Sequence, residues 1–302
     1  MKAWDAAIKK VQEIEGIGAE SEPGGAILAV ERLNAVCALV GALEQLTCIS
    51  NNRDDDVFSW QVLRGRFPDK DRRTVRIFDR VFSYPTVAAI PIVRGLAAAR
   101  LLLGRPGNTE RMLLDGLLTA TASVANLRQH YGGDGSDHMS YVGVATAFLA
   151  RLFPGDSTAQ RTCLKFLSFQ TCLSYSVSGA VKAASPVWRS GRAITGIMRT
   201  GTYGDKWLYE LTKKHPAIPV LMAWMVILGE LSFPLVMVAP KPVARAILAA
   251  SSVFHLANGR FMGLNRFVWA FAGSYPAIAH TSRGLGPAMA RTPGGPGSAG
   301  VR

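Results

Sequence analysis

An all-α integral-membrane bundle is the fold class this chain predicts, and three observations carry that expectation. Residues 217–239 (AIPVLMAWMVILGELSFPLVMVA) hold one ionisable side chain, Glu230. At about 1.5 Å per residue, that run is long enough to cross a hydrocarbon core about 30 Å thick. A soluble helix of this length would keep a polar face, and this one has none. Further apolar segments recur at about 26–48, 83–103, 112–128, 140–153, 163–184, 243–258 and 264–281. The mean hydropathy of +0.17 therefore averages over apolar runs and charged connections that are sharply segregated.

Taken in order, residues 1–25 form an acidic-basic amphipathic segment (MKAWDAAIKKVQEIEGIG) that ends at Pro23-Gly24-Gly25. It lacks the n-region and h-region of a cleavable signal peptide. The first apolar segment carries Glu31, Arg32 and Glu44, so part of it must face protein or water. Arg64, Arg66, Lys70, Arg72, Arg73, Arg76 and Arg80 crowd into one loop before the second. The fourth and seventh segments are short for a span and read as tilted, re-entrant or half-buried. The expectation is a transmembrane domain over 26–282 with about seven or eight membrane helices. A Gly/Pro-rich tail over 283–302 reads as disordered.

The net charge of +13 and the four cysteines, Cys37, Cys48, Cys163 and Cys172, narrow the function. In a soluble protein such basicity would suggest nucleic acid. Between membrane spans, Lys and Arg instead anchor loops to anionic lipid, so no nucleic-acid partner is expected. The cysteines form no C-x-x-C pair and sit in or beside apolar runs, which reads as free buried thiols.

Four ionisable residues in apolar surroundings are the site candidates. Lys182 lies near the end of the 163–184 segment. An ammonium there needs a partner, an escape to the interface along its own stem, or loss of its proton, which would make it a base. Glu230 sits mid-span, either as a protonated acid bonded to a neighbouring helix or as the partner of Lys182 or His255. His255 lies in the short seventh segment and His138 at the start of the fourth. Separately, the run Asn51 to Asp56 (NNRDDD) offers Asp54, Asp55 and Asp56 to a Mg²⁺–diphosphate group, with Arg64 and Arg66 near the phosphate. Its plain alternative is a solvated acidic cap. No H-x-x-x-H or C-x-x-C spacing points to zinc.

The segment Gln170-x4-Tyr175-x3-Gly179-x2-Lys182-x5-Trp188-x2-Gly191 resembles the vitamin K-dependent γ-carboxylase-like (HTTM) membrane family. Within it, the chain is most similar to the bacterial branch of proteins like sporulation-delaying protein B. Other pieces occur in the matching order: Asn52, Asp55 and Phe58 in a loop, GDGSDH opening the fourth helix, YGDKWLYEL, the Glu230 helix, Phe254-His255 and GLNRF. The resemblance covers residues 26–281. It implies that Lys182 is an active-site base that meets a reduced quinone, supported by His138 with Tyr141 nearby. It also implies Gln170, Tyr175 and Trp188 as substrate-binding residues, and a bacterial cytoplasmic membrane as the location. The stretch between lysine and tryptophan, AASPV, is one residue longer than in the carboxylase, and no extramembrane substrate domain follows residue 281. The resemblance therefore implies an isoprenoid-type lipid as substrate rather than a protein glutamate.

Three functions follow as expectations. The first is a membrane enzyme with Lys182 as base and His138, Glu230 or His255 setting its charge, acting on a quinol. The second is an isoprenoid-diphosphate cyclase or transferase using Asp54–Asp56 and Mg²⁺. The third is a non-enzymatic accessory in maturation, export or immunity for a secreted peptide partner. All three place the chain in the bilayer. Detergent is accordingly expected to be needed to extract it, with high salt leaving it in the membrane pellet; release by salt alone would show that charge rather than apolar spans holds it there.

Overall fold

The computed structural model describes residues 22–56, 58–66, 71–128 and 133–286. Most of the expected amphipathic N-terminal segment, most of the expected tail, and Lys70 lie outside the described residues. Every regular element among the described residues is helical. In chain order the α-helices are α1 (Pro23–Thr47), α2 (Trp60–Leu63), α3 (Arg72–Phe82), α4 (Ala89–Leu103), α5 (Asn108–Arg128), α6 (Gly135–Arg151) and α7 (Ser157–Ala184). They continue as α8 (Pro186–Arg189), α9 (Arg192–Met198), α10 (Lys206–Lys214), α11 (Ala217–Ser232), α12 (Lys241–Met262), α13 (Asn265–Ala272) and α14 (Tyr275–Thr281). Short 3₁₀ turns cover Ile49–Asn52, Arg64–Arg66, Thr86–Ala88 and Phe233–Met237.

Three stretches, Pro23–Thr47, Thr86–Leu103 and Ala217–Met237, are helices long and apolar enough to cross a membrane. On α11, the exposed side chains Leu221, Met225 and Leu228 follow the i, i+4, i+7 spacing of one helix face. A stripe of that kind is unfavourable against water and suits acyl chains.

The helix boundaries follow from local chemistry. The Asp134 carboxylate accepts the Ser136 and Asp137 N–H groups, and Asp137 accepts the Asp134 N–H in return, which starts α6 as a capping box. Asp156 caps α7 through the Thr158 and Ala159 N–H groups. Beyond Ala184, Pro186 has no N–H to continue the ladder, and Ser185 caps the short α8 instead. Gly191, at φ +74°, opens α9; a Cβ there would lie 2.6 Å from the Val220 nitrogen, so the position demands glycine.

Two expectations differ from the structure. The basic stretch after Arg66 is not all loop: Asp71 accepts the Thr74 N–H at 2.6 Å and starts α3. Phe78 and Phe82, one turn apart, then pack on Trp60 while Arg73, Arg76 and Arg80 stay exposed. The last apolar segment is two helices rather than one. The Asn34 amide donates to the Gly273 carbonyl at 3.3 Å, and Pro276 cannot supply the next rung.

α1 runs through the middle of the bundle, packed against α4, α6, α7, α13 and α14. Its Glu31 is fully buried and pairs with Arg111 of α5 and, at 2.5 Å, with Arg151 of α6. Arg151 also reaches Asp115 of α5 at 3.1 Å. The charges expected to force part of α1 toward protein or water thus divide: Glu31 bonds protein, Glu44 bonds Arg266 at 3.0 Å, and Arg32 is exposed. α7 meets α6, α11 and α14, and its contact with α11 holds the candidate site.

Candidate functional site

Tyr175, Ser178, Gly179 and Lys182 of α7 stand at i, i+3, i+4 and i+7, so they share one helix face. That face meets α11. At Gly179 the two backbones come close: an added Cβ would lie 3.0 Å from the Glu230 Cβ and from the Leu231 nitrogen. The close approach lets a lysine and a glutamate on facing helices meet directly. Lys182 Nζ donates to Glu230 Oε2 at 2.7 Å and Oε1 at 2.8 Å, and to Ser178 Oγ at 2.5 Å. Ser178 Oγ in turn donates to Glu230 Oε1 at 3.3 Å.

The pair is well removed from solvent, with side-chain exposures of 16% for Lys182 and 8% for Glu230. Of the alternatives open to Lys182, the geometry selects a partner: the ammonium turns across to α11. The Trp188 ring from α8 closes over it, with Nζ 5.2 Å from the ring centroid, within cation–π range.

Two turns earlier on α7, Tyr175 anchors a second polar cluster. Its ring stacks on Phe233, centroids 3.9 Å apart. Phe233 lies three residues after Glu230, so α7 and α11 pair in antiparallel register, Lys182 with Glu230 and Tyr175 with Phe233. The Tyr175 hydroxyl lies 2.6 Å from His255 Nε2, 2.5 Å from Ser251 Oγ and 3.2 Å from Tyr275 Oη. Ser251 and Tyr275 are themselves 2.7 Å apart. His255 is buried, stacked on Phe271 at 4.2 Å, and its Nδ1 has no hydrogen-bond partner among the described residues. Every member of this cluster can donate or accept a proton or a hydrogen bond, depending on the tautomer of His255.

The structure thus brings together Lys182, Glu230, Trp188, Tyr175 and His255 along one seam of α7, α8, α11 and α12. It does not add the others. Gln170 is half-buried on α7, five residues before Tyr175 and so about 140° around the helix from it. His138 is exposed at the start of α6, its Nδ1 3.2 Å from the Asp134 carbonyl; no hydrogen bond or ion pair among the described residues joins it to Lys182, Glu230 or His255. Asp54, Asp55 and Asp56 are all exposed, with Arg53 4.0 Å from Asp55. Among the described residues no three His, Cys, Asp or Glu side chains converge as a metal site.

Sequence reasoning missed Ser251 and Tyr275. Ser251 stands one turn before His255, a spacing that was available as a signal; Tyr275 carried none, because it comes into place only through the break between α13 and α14. No family model, no curated protein and no solved structure matches this chain.

The buried pair has a measurable signature. Lys182→Met or Glu230→Met alone leaves one charged or hydrogen-bonding group without its partner, expected to cost about 3–5 kcal/mol. The double substitution replaces both by apolar side chains and is expected to recover most of that loss in thermal unfolding. A double variant no more stable than the weaker single variant would show that the two side chains do not pair.

Proposed function

We propose that this chain is an integral-membrane enzyme that removes a proton from an apolar, isoprenoid-type substrate reached from the bilayer, a reduced quinone being the form that fits best. Lys182 is the base and Glu230 sets its charge. The observation that carries the reading is the two-point contact of Lys182 with Glu230, on the cleanest apolar span of the chain. Ionisable side chains inside a membrane bundle are costly and mark proton or substrate paths.

The chemistry follows from the pair. A proton moving from the ammonium to the carboxylate turns two buried charges into two neutral groups, a change that a low-dielectric surround favours. The free amine then accepts the proton of a quinol hydroxyl; the O–H bond breaks and its electron pair stays on the quinol oxygen. The anion so formed lies beside a positively charged Lys182. Trp188 offers an aromatic face against which a flat ring can stack. The cluster of Tyr175, His255, Ser251 and Tyr275, two turns along the same helix face, supplies the hydrogen-bonding groups to orient a second oxygen or to pass a proton onward. The setting we propose is a bundle of about seven or eight spans in a bacterial cytoplasmic membrane, as the γ-carboxylase-like resemblance implies. The exposed positions of Asp54, Asp55 and Asp56 give the Mg²⁺–diphosphate alternative no comparable support.

Mass spectrometry of lipids that co-purify with the protein tests the substrate, and substitution tests the base. An isoprenoid quinone is expected to be enriched over the bulk membrane extract. Lys182→Arg keeps a cation beside Glu230 but stays protonated, so it should retain the quinone while deprotonation of added quinol is lost. Absence of quinone enrichment would remove the substrate assignment, and near-normal turnover by Lys182→Arg would remove the base assignment.

A further inference from the structure

A cavity of about 330 Å³ opens at the end of the bundle where α1 and α5 finish and α4 and α6 begin. That volume suits a small headgroup with a few carbons of its chain. Part of its lining is apolar: Ile49, Val87, Ile90 and Pro91. The lining also carries Arg128, Arg266, Glu44 and Asp137, with Gln45 and Asn52.

The charges of the lining are unevenly used. Arg266 takes up the carboxylates: Asp137 at 2.5 Å, Glu44 at 3.0 Å and Asp134 at 3.5 Å. Arg128 has none. It is only 4% exposed, and its Nε and Nη2 donate to the Phe82 and Phe58 carbonyls at 3.1 and 2.8 Å. A guanidinium has five N–H donors, so those two bonds leave further N–H groups on a residue that lines the cavity. No carboxylate among the described residues pairs with it. Arg94 of α4 is also buried, in electrostatic contact with Asp137 and Arg266 and with its Nε unpartnered among the described residues.

A buried arginine held in place by main-chain carbonyls, lining a cavity with donors to spare, is a preformed receptor for an oxyanion. The apolar part of the lining determines what carries that anion. We infer that the cavity binds the phosphate head of an amphiphile, with Arg128 on the phosphate and Ile49, Val87 and Ile90 along the first carbons of its chain. The site is separate from the Lys182–Glu230 pair, and the inference stands without the reading of that pair.

Cys48 gives a direct readout, because it is exposed and lines this cavity, whereas Cys37 and Cys172 are buried. Cys163, partly buried on α7 and absent from the cavity lining, serves as internal control. The full chain in a neutral detergent is alkylated with N-ethylmaleimide, and each cysteine is followed by peptide mass spectrometry. Dodecyl phosphate is expected to slow Cys48 modification and leave Cys163 unchanged, while dodecanol has little effect. Arg128→Gln should weaken the protection about tenfold or more, since a charge-assisted hydrogen bond is lost. Because Arg128 also ties down two main-chain carbonyls, Gln45→Glu is the second variant. It leaves the Arg128 bonds in place, adds a negative charge to the lining, and should weaken protection similarly. Equal protection by dodecanol, equal slowing of Cys163, or full protection in Gln45→Glu would overturn the anion site. Protection by inorganic phosphate as strong as that by dodecyl phosphate would overturn its assignment to an amphiphile.

Discussion

The seam between α7 and α11 depends on two charges being held together away from water. Burying either Lys182 or Glu230 alone would cost several kcal/mol, so neither residue is tolerable without the other at its observed place. The pairing in turn needs the helices close enough for a two-point contact at 2.7 and 2.8 Å. Gly179 permits that approach, since any side chain there would press on Glu230 and Leu231. With the distance set, the remaining partners follow from helical spacing. Phe233, one turn beyond Glu230, reaches Tyr175, and the Tyr175 hydroxyl then falls among His255, Ser251 and Tyr275.

The same logic recurs through the bundle. Buried carboxylates do not stand alone: Glu31 has Arg111 and Arg151, Asp115 has Arg151, and Asp137 has Arg266. Each pair or cluster joins helices distant in sequence, so polar contacts set which helices are neighbours while apolar side chains cover the outside. That arrangement suits a surround without water, where dispersion and interior polar bonds hold helices together rather than the expulsion of apolar surface from solvent. Arg128 departs from the pattern, being a buried cation with no carboxylate partner among the described residues, which is why the cavity it lines is read as a ligand site.

Much of the helical content was legible in the sequence because apolar length and flanking charge report helices directly. The run at 217–239 gave the start of α11 and continued past its end at Ser232 into the 3₁₀ turn Phe233–Met237, and Pro186 marked the end of α7. Lys182 and Glu230 stood out because ionisable groups in apolar runs are rare, and their contact was one of the pairings that chemistry allowed. Other features were hidden for identifiable reasons. α3 looked like a basic loop because only Phe78 and Phe82 pack on Trp60, while Arg72, Arg73, Arg76 and Arg80 recur along the same eleven residues. The break at Gly273 depends on Asn34, more than two hundred residues earlier, and no local pattern reports it. His138 was tied to the lysine only through the family resemblance, and its exposed position at the start of α6 follows from the Asp134 cap, a local signal that competes with that role.

If Lys182 is the base as proposed, the Lys182–Glu230 contact is closed at rest, and a quinol that gives its proton to the amine takes the place of the carboxylate there. Solid-state NMR on protein in lipid bilayers, labelled with ¹⁵N at lysine Nζ and ¹³C at the glutamate carboxyl, reads that contact as a dipolar coupling. Its assignment can be secured with Glu230→Gln. The account predicts a strong coupling between Lys182 and Glu230 without ligand, and a clear weakening when a reduced isoprenoid quinone saturates the protein. No coupling in the resting state would contradict the pair itself, and a coupling unchanged by saturating quinol would contradict its role as the base.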